Sequence, residues 1–230
     1  MTHAVEREHE AQRAGGELEG APAEEILRWA AQTFGARLVV ASSMQDAVLV
    51  DLAARVAPGI DVLFLDTGYH FAETIGTRDA VAAAYDVNVI NVLARRTVAE
   101  QDAEFGAKLH DRNPNLCCAM RKVEPLERAL AGYDAWATGV RRVDAPTRAD
   151  TPVVSYDASR GKVKVAPMAT WSDADVDRYI VEHNVLINPL LAAGYPSIGC
   201  APCTRAVAPG EDPRAGRWAG FAKTECGLHQ

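Results

Sequence analysis

The sequence predicts an α/β protein with a mainly parallel sheet and helices on both faces of it. Three observations predict this: apolar runs of strand length such as RLVVAS (37–42) and IDVLFLD (60–66), segments of helical period between them, and turn residues at the junctions. Strands that alternate with helices need crossover connections, and crossovers give parallel pairing.

Residues 1–20, charged throughout, read as a flexible arm. Pro22 suits the first turn of a helix, where its missing N–H costs little, and EEILRWAAQTFG (24–35) runs at helical period to a glycine stop. RLVVAS is the first strand, Ser42-Ser43 make a turn, and MQDAVLVDLAARVA (44–57) is a helix ended by Pro58-Gly59. After the strand IDVLFLD, the polar loop TGYHF leads into a helix through AETIGTRDAVAAAY (72–85), and VNVINV (87–92) is the third strand. NPNLCCAMRKVEPLERALAG (113–132) reads as helix on both sides of Pro125, and DAWATGV (134–140) as a fourth strand. VVSYDASRGKVKVAP (153–167) has the form of a hairpin, and in SDADVDRYIVEHN (172–184) Ser172 and Asp175 form a variant capping box. Beyond Asn188-Pro189 periodicity fades into an irregular, Gly- and Pro-rich segment. The expected organisation is one α/β domain over residues 21–205, which binds nucleotide and metal, with the arm before it and a mobile tail, 206–230, after it.

A hydrophobic content of 48% excludes wholesale disorder, and the apolar runs are far too short to span a membrane. The first twenty residues lack the apolar stretch of a secretory signal, so a cytoplasmic location is expected. A net charge of -7 provides no global attraction to nucleic acid or to acidic membranes, so any polyanion site is local. Composition leaves a homo-oligomer open.

Five cysteines are an odd number for a disulfide framework and read better as metal ligands or reactive thiols. Cys117 and Cys118 are adjacent, and on a helix they share faces with Arg121 and Lys122. Cys200-Ala-Pro-Cys203 is a CxxC whose two sulfurs can meet one metal or cluster. Four thiolates suit tetrahedral zinc or an iron–sulfur cluster. Adjacent helical cysteines diverge by roughly 100°, which favours the larger cluster. Cys226, four residues from the end, is then left over, in a segment that also holds Arg214, Arg217 and Lys223. Arginine binds phosphate and sulfate through a planar fork of donors. Ser42 and Ser43, and Asp66, Thr67 and Gly68, follow the first two strands, where open parallel sheets bind ligands. The plainer readings are that the serines cap a helix, that the arginines are a solvated loop and that His229 is a polar tail residue.

Taken together, ASSMQDAVLVD, LDTGYHFAET, NLCCAMRKVEPL, WATGVRR, NPLLAAGYPSIGCAPCTR and KTECGLH resemble the assimilatory adenylylsulfate reductases, the cysteine-rich branch of the phosphoadenylylsulfate reductase family. The resemblance runs from residue 37 to the end of the sequence. It implies an adenine-nucleotide-hydrolase-like, Rossmann-like fold and a 4Fe-4S cluster on Cys117, Cys118, Cys200 and Cys203. It also implies Cys226 as the nucleophile, and thioredoxin or a glutaredoxin-like protein as the reductant in sulfate assimilation. Lys122, Arg148, Arg214 and Arg217 match positions that hold the phosphosulfate, with Arg142 as the second candidate beside Arg148 in RRVDAPTR. Ser42, Ser43, Asp66, Thr67, Gly68 and His229 complete the expected substrate contacts. Relatives specific for the 3′-phosphorylated substrate lack both cysteine pairs, so the pairs favour adenylylsulfate. Two rival readings are an ATP pyrophosphatase, which would carry a glycine-rich SGGxDS loop where this chain has ASSMQD, and a zinc-stabilised binding protein.

Overall fold

Six strands form one sheet in the order β3-β2-β1-β4-β6-β5 in the computed structural model, which describes residues 2–228. They are β1 (Leu38–Ala41), β2 (Ile60–Asp66), β3 (Val87–Leu93), β4 (Ala135–Thr138), β5 (Val154–Asp157) and β6 (Lys162–Val165). Pairing is parallel except for the β5–β6 hairpin, which turns at Gly161, φ 66°. After β3 the chain crosses back over β1 to start β4, so the strand order reverses between β1 and β4. Such a reversal leaves a crevice at the carboxyl ends of the two strands, here Ala41 and Thr138, which pair in register.

Alternate residues of β1, β2 and β4 feed two cores. Val40, Val62, Ala135 and Ala137 pack with α2 (Ala23–Phe34), α3 (Val48–Val56) and α9 (Asp173–His183) on one face. Val39, Leu63 and Trp136 pack with Leu126 and Leu130 on the other, from α8 (Glu124–Ala129) and the turn after it. The expected helices on both faces are therefore present, and Ser172 and Asp175 close the capping box of α9.

The structure corrects the sequence reading at three places. The expected flexible arm is a helix, α1 (Thr2–Glu17), which packs Ala11 and Ala14 against the edge strand β5. Its charges obscure a stripe of small residues, and Gly15 lets the helix approach the Val154 carbonyl so closely that a Cβ there would sit 2.6 Å from the oxygen. Helix α3 starts at Val48 rather than Met44, because Met44 is held at φ 58° and Asp46 accepts the Val48 N–H instead. Between α4 (Ala72–Ala84) and α8 lie three short helices, α5 (Val98–Phe105), α6 (Leu109–Arg112) and α7 (Pro114–Cys118); α5 is absent from the sequence reading although Thr97 and Glu100 form its capping box.

The two glycines of α1 give opposite outcomes. Ala normally stabilises a helix over Gly by about 1 kcal/mol. Gly16→Ala, with nothing near its Cβ, is expected to raise the thermal midpoint, whereas Gly15→Ala is expected to lower it by displacing α1 from Val154. Thermal unfolding of the two variants checks the sign.

Candidate active site

Beyond Ala41 and Thr138 lies a cavity of about 750 Å³, a size suited to a nucleotide-sized ligand. Ser42 and Ser43 line it, on a loop in which the Ser42 hydroxyl accepts from the Met44 N–H. Two residues that the sequence reading missed fix this loop. Buried Asn188 donates to Met44 O and Thr74 Oγ1, and Gln45 Oε1 accepts the Ile198 N–H. The only sequence signal was the Asn-Pro pair at 188–189, which reads as a helix start or turn.

The four cysteines at 117, 118, 200 and 203 line one small cavity with Tyr69, His110, Arg121 and Lys122. Cys117 and Cys118 end α7, and residues Ala119–Val123 continue as a π-helical turn, a widened turn frequent at functional sites. Arg121 lines this cavity and its charge opposes the rise of Cys117, but its guanidinium is held by other partners. It is buried, donates to Gln101 Oε1 at 2.7 Å and Thr67 O at 2.8 Å, and stacks on Tyr69. Tyr69 O accepts the Ala201 N–H at 2.7 Å, so the β2 loop, the π turn and the CxxC are tied at one point. Thr67 Oγ1 lies 3.3 Å from Cys200 Sγ.

All five cysteines are free thiols. Burial, reinforced by the other cysteines, pushes Cys117 up to about 12 and Cys203 up to about 11. Cys117, Cys118 and Cys200 are buried and Cys203 is half-buried; sulfurs gathered this closely, with Cys117 and Cys203 raised by burial and by neighbouring sulfurs, form a donor set in need of a cationic centre, and soft thiolates fit iron–sulfur or zinc chemistry. No group of three or more His, Cys, Asp or Glu among the described residues converges on the position of a single ion.

Lys122 and Cys200 line both cavities. Burial alone would lower the Lys122 ammonium, yet the Cys200 and Cys226 sulfurs outweigh it and its pKa is raised. Arg217 is half-buried; it donates to Ser197 Oγ and Ile198 O and occupies the space a Gly199 side chain would fill, and its pKa is lowered by desolvation and then by Arg214. Arg148, Arg214 and Cys226 line the larger cavity as well. The tail is closed: Glu225 pairs with Arg148 and Arg214, and Leu228 packs beside Val39, Leu63 and Trp136.

The phosphoadenosine phosphosulfate reductase domain matches residues 37–206. The chain belongs to the phosphoadenosine phosphosulfate reductase family. Proteins named adenosine 5'-phosphosulfate reductase are 68% identical in Streptomyces coelicolor and 62% identical in Mycolicibacterium smegmatis, each covering 95% of this chain and 93% of the relative. Among solved structures, the phosphoadenylyl-sulfate reductase of Candida auris, a phosphate complex, superposes with TM-score 0.72 at 31% identity, over 86% of this chain and 96% of its own. The FMN adenylyltransferase of Candida glabrata, 13% identical with TM-score 0.59 over 86% of this chain and 66% of its own, shares the fold alone. The fold is that of the adenine nucleotide hydrolases.

Several contacts expected from the family resemblance are engaged elsewhere. Asp66 and Gly68 are not in the cavity wall; Asp66 accepts the Gly68 N–H in a tight turn and faces Asn91 and Arg78. Thr67 lines the cavity, but its hydroxyl serves Cys200 and the Tyr69 N–H. Arg142 is also in the wall, while its guanidinium is bonded to Glu19 and Thr151 O. Arg148, by contrast, faces the tail. His229 lies outside the described residues.

Gly199→Ala tests the family site through Arg217 without substituting a cysteine or a cation. Its Cβ would fall 2.4 Å from Arg217 Nη2, and the flexible side chain is expected to give way. Affinity for AMP, read by calorimetry, is expected to drop about tenfold, the scale of a lost charged hydrogen bond. Unchanged affinity would place Arg217 outside the binding site.

Proposed function

We propose that this chain reduces adenylylsulfate to sulfite and AMP in assimilatory sulfate reduction, for cysteine biosynthesis in the cytoplasm. One observation carries the reading: Cys226 shares a cavity wall with Lys122, Arg148, Arg214 and Arg217. A relative with the corresponding printed name is 68% identical over 95% of this chain. No helix among the described residues is long and apolar enough to cross a membrane.

The Cys226 thiolate attacks the sulfur of the sulfonyl-phosphate anhydride. An S–S bond forms, the bond from sulfur to the phosphate oxygen breaks, and AMP departs with the electron pair, leaving S-sulfocysteine. A thiolate meeting a phosphosulfate brings anions together, and fixed cations in a water-poor site are the means of offsetting that repulsion. Lys122 is placed to do so, because Cys226 is among the charges that raise it. Arg217 and Arg214 flank it, and Ser42 and Ser43 close the β1 side. A dithiol protein, thioredoxin or glutaredoxin-like, then attacks Cys226 Sγ and expels sulfite; its second thiol resolves the mixed disulfide, restoring the Cys226 thiolate. The donor leaves oxidised, and sulfur has gained two electrons.

Cys117, Cys118, Cys200 and Cys203 would hold a 4Fe-4S cluster, whose contribution when bound is structural and electrostatic. Lys122, lining both cavities, is the residue through which such charge reaches the ligand. Visible absorbance and brown colour in anaerobically purified protein support iron–sulfur; colourless protein loaded with zinc would overturn it. A second reading, reduction of the 3′-phosphorylated substrate, draws on the Candida auris relative's printed name. Comparing the two nucleotides at equal concentration separates them, and adenylylsulfate is expected to be preferred.

Mixing the protein with adenylylsulfate in the absence of reductant is expected to add one sulfo group to the intact mass, and Cys226→Ser is expected to add none. Lys122→Met, with colour retained, is expected to slow adduct formation on the order of a hundredfold. Sulfite production by Cys226→Ser with thioredoxin would sink the nucleophile assignment.

A further inference from the structure

The closed tail is anchored by a carboxylate sitting on cations that an anionic ligand would use. Arg148 donates Nε to Glu225 Oε1 and Nη2 to Oε2, both at 2.8 Å. Arg214 Nη2 reaches Oε2 at 3.4 Å and donates to Thr224 O at 2.8 Å, and Thr147 Oγ1 donates to Oε1 at 3.2 Å. The Glu225 side chain is 9% exposed. Two oxygens held by a guanidinium fork are what a phosphate or sulfate presents to the same fork. Arg148 is also braced from behind by Asp144 at 3.2 Å, so the fork keeps its orientation when the tail leaves. Lys122 and Arg217 have no carboxylate partner among the described residues, which leaves them ready for an incoming anion while the tail is shut.

We propose that Glu225 is an internal anion that latches the tail closed on Arg148 and Arg214, and that an oxyanion ligand reaching those two arginines unlatches it. The tail and the ligand then compete for one set of donors. The Cys226 thiol, adjacent in sequence to the latch, is held against the cavity wall until an oxyanion takes over those donors, and is then free to move onto the sulfur of the bound ligand. The proposal rests on the reading above only for the identity of the oxyanion.

The test uses the anaerobically purified full chain and follows tryptic cleavage after Lys223, which releases residues 224–230 and is read by mass spectrometry. Inorganic sulfate is expected to speed this cleavage over sodium chloride of equal ionic strength. Glu225→Gln is expected to be cleaved about tenfold faster without added anion, the scale of a lost charge-assisted pair, and to gain little from sulfate. Because a latch competes with the ligand, the same variant is expected to bind AMP about tenfold more tightly by calorimetry. Glu225→Asp, which keeps the charge on a shorter stem, is expected to fall between the two. A purely structural Glu225 would loosen the tail without tightening AMP binding, so AMP affinity that is unchanged or weaker in Glu225→Gln overturns the latch. Indifference of wild-type cleavage to sulfate overturns it as well. If neither protein binds AMP while sulfate still opens the wild-type tail, the latch stands and the adenylylsulfate reading falls.

Discussion

The site depends first on the buried guanidinium of Arg121. A charge taken from water costs several kcal/mol unless hydrogen bonds replace its hydration; here Gln101 Oε1 and Thr67 O take Nε and Nη1 and Tyr69 lies under the face, while Nη2 is buried with no hydrogen-bond partner among the described residues. The geometry needs a planar fork, which lysine lacks. Arg121 lies in the π turn directly after the Cys117-Cys118 pair, and its two acceptors belong to α5 and to the loop after β2. Tyr69, under its face, accepts from Ala201 in the CxxC. One side chain therefore sets the distance between two cysteine pairs separated by some eighty residues of chain, and Lys122 follows from it as the next residue.

The sheet provides the other half of the arrangement. Reversal of strand order between β1 and β4 leaves a crevice, and the irregular segment after α9 fills its rim by bonding to the β1 loop through Asn188, Gln45 and Ile198. That segment then supplies Cys200, Cys203, Arg214 and Arg217 in sequence. Short backbone pairings, Arg205 to Gly216 and Trp218 to Cys203, fold it back on itself. The two cavities share Lys122 and Cys200 because one rim serves both. Lys122, half-buried between the cysteine pairs and the larger cavity, would be lowered by burial, and the Cys200, Cys226 and Cys118 sulfurs outweigh that and the opposing charge of Arg217, so its pKa is raised.

Local pattern made most of the scaffold legible. β2 was bounded correctly because the apolar run VLFL, flanked by Ile60 and two aspartates, ends in a turn, and α9 was placed by Ser172 and Asp175. The cysteine pairs were legible as a group because five cysteines, arranged as two close pairs and a single one, fit metal ligation better than a disulfide framework. What escaped depended on tertiary contact. The small-residue face of α1 has meaning only against β5, and composition alone made it look like a solvated arm. Arg121 and Lys122 are adjacent basic residues in the sequence, yet one is a structural tie and the other faces the ligand cavity; the π turn and the position of Gln101 decide between them. Asp66 looked like a ligand contact because it ends a strand at the right edge of the sheet, and its carboxylate is spent on the turn it makes.

Charge explains how a chain of net -7 can hold a dianion. Six cations line the cavity; Arg141 and Arg142 are paired with Asp144, Asp173 and Glu19, and the other four, Lys122, Arg148, Arg214 and Arg217, share the wall with Asp46, Asp144, Asp173, Asp177 and Asp212 and with Glu225 on the tail. Burial alone would raise the Glu225 carboxyl, and the bond and charge of Arg148 hold it below the usual range, so Glu225 is an anion whenever the tail is closed. When the tail leaves it removes that carboxylate, and the cavity becomes more positive at the moment it is open to solvent. When the tail returns, the carboxylate restores balance and weakens the hold on any anion still present. Potential in a low-dielectric cleft acts on both capture and release. A carboxylate next to the Cys226 thiol thus makes the field of the cavity depend on where that thiol is, which a cysteine fixed in the core could not do.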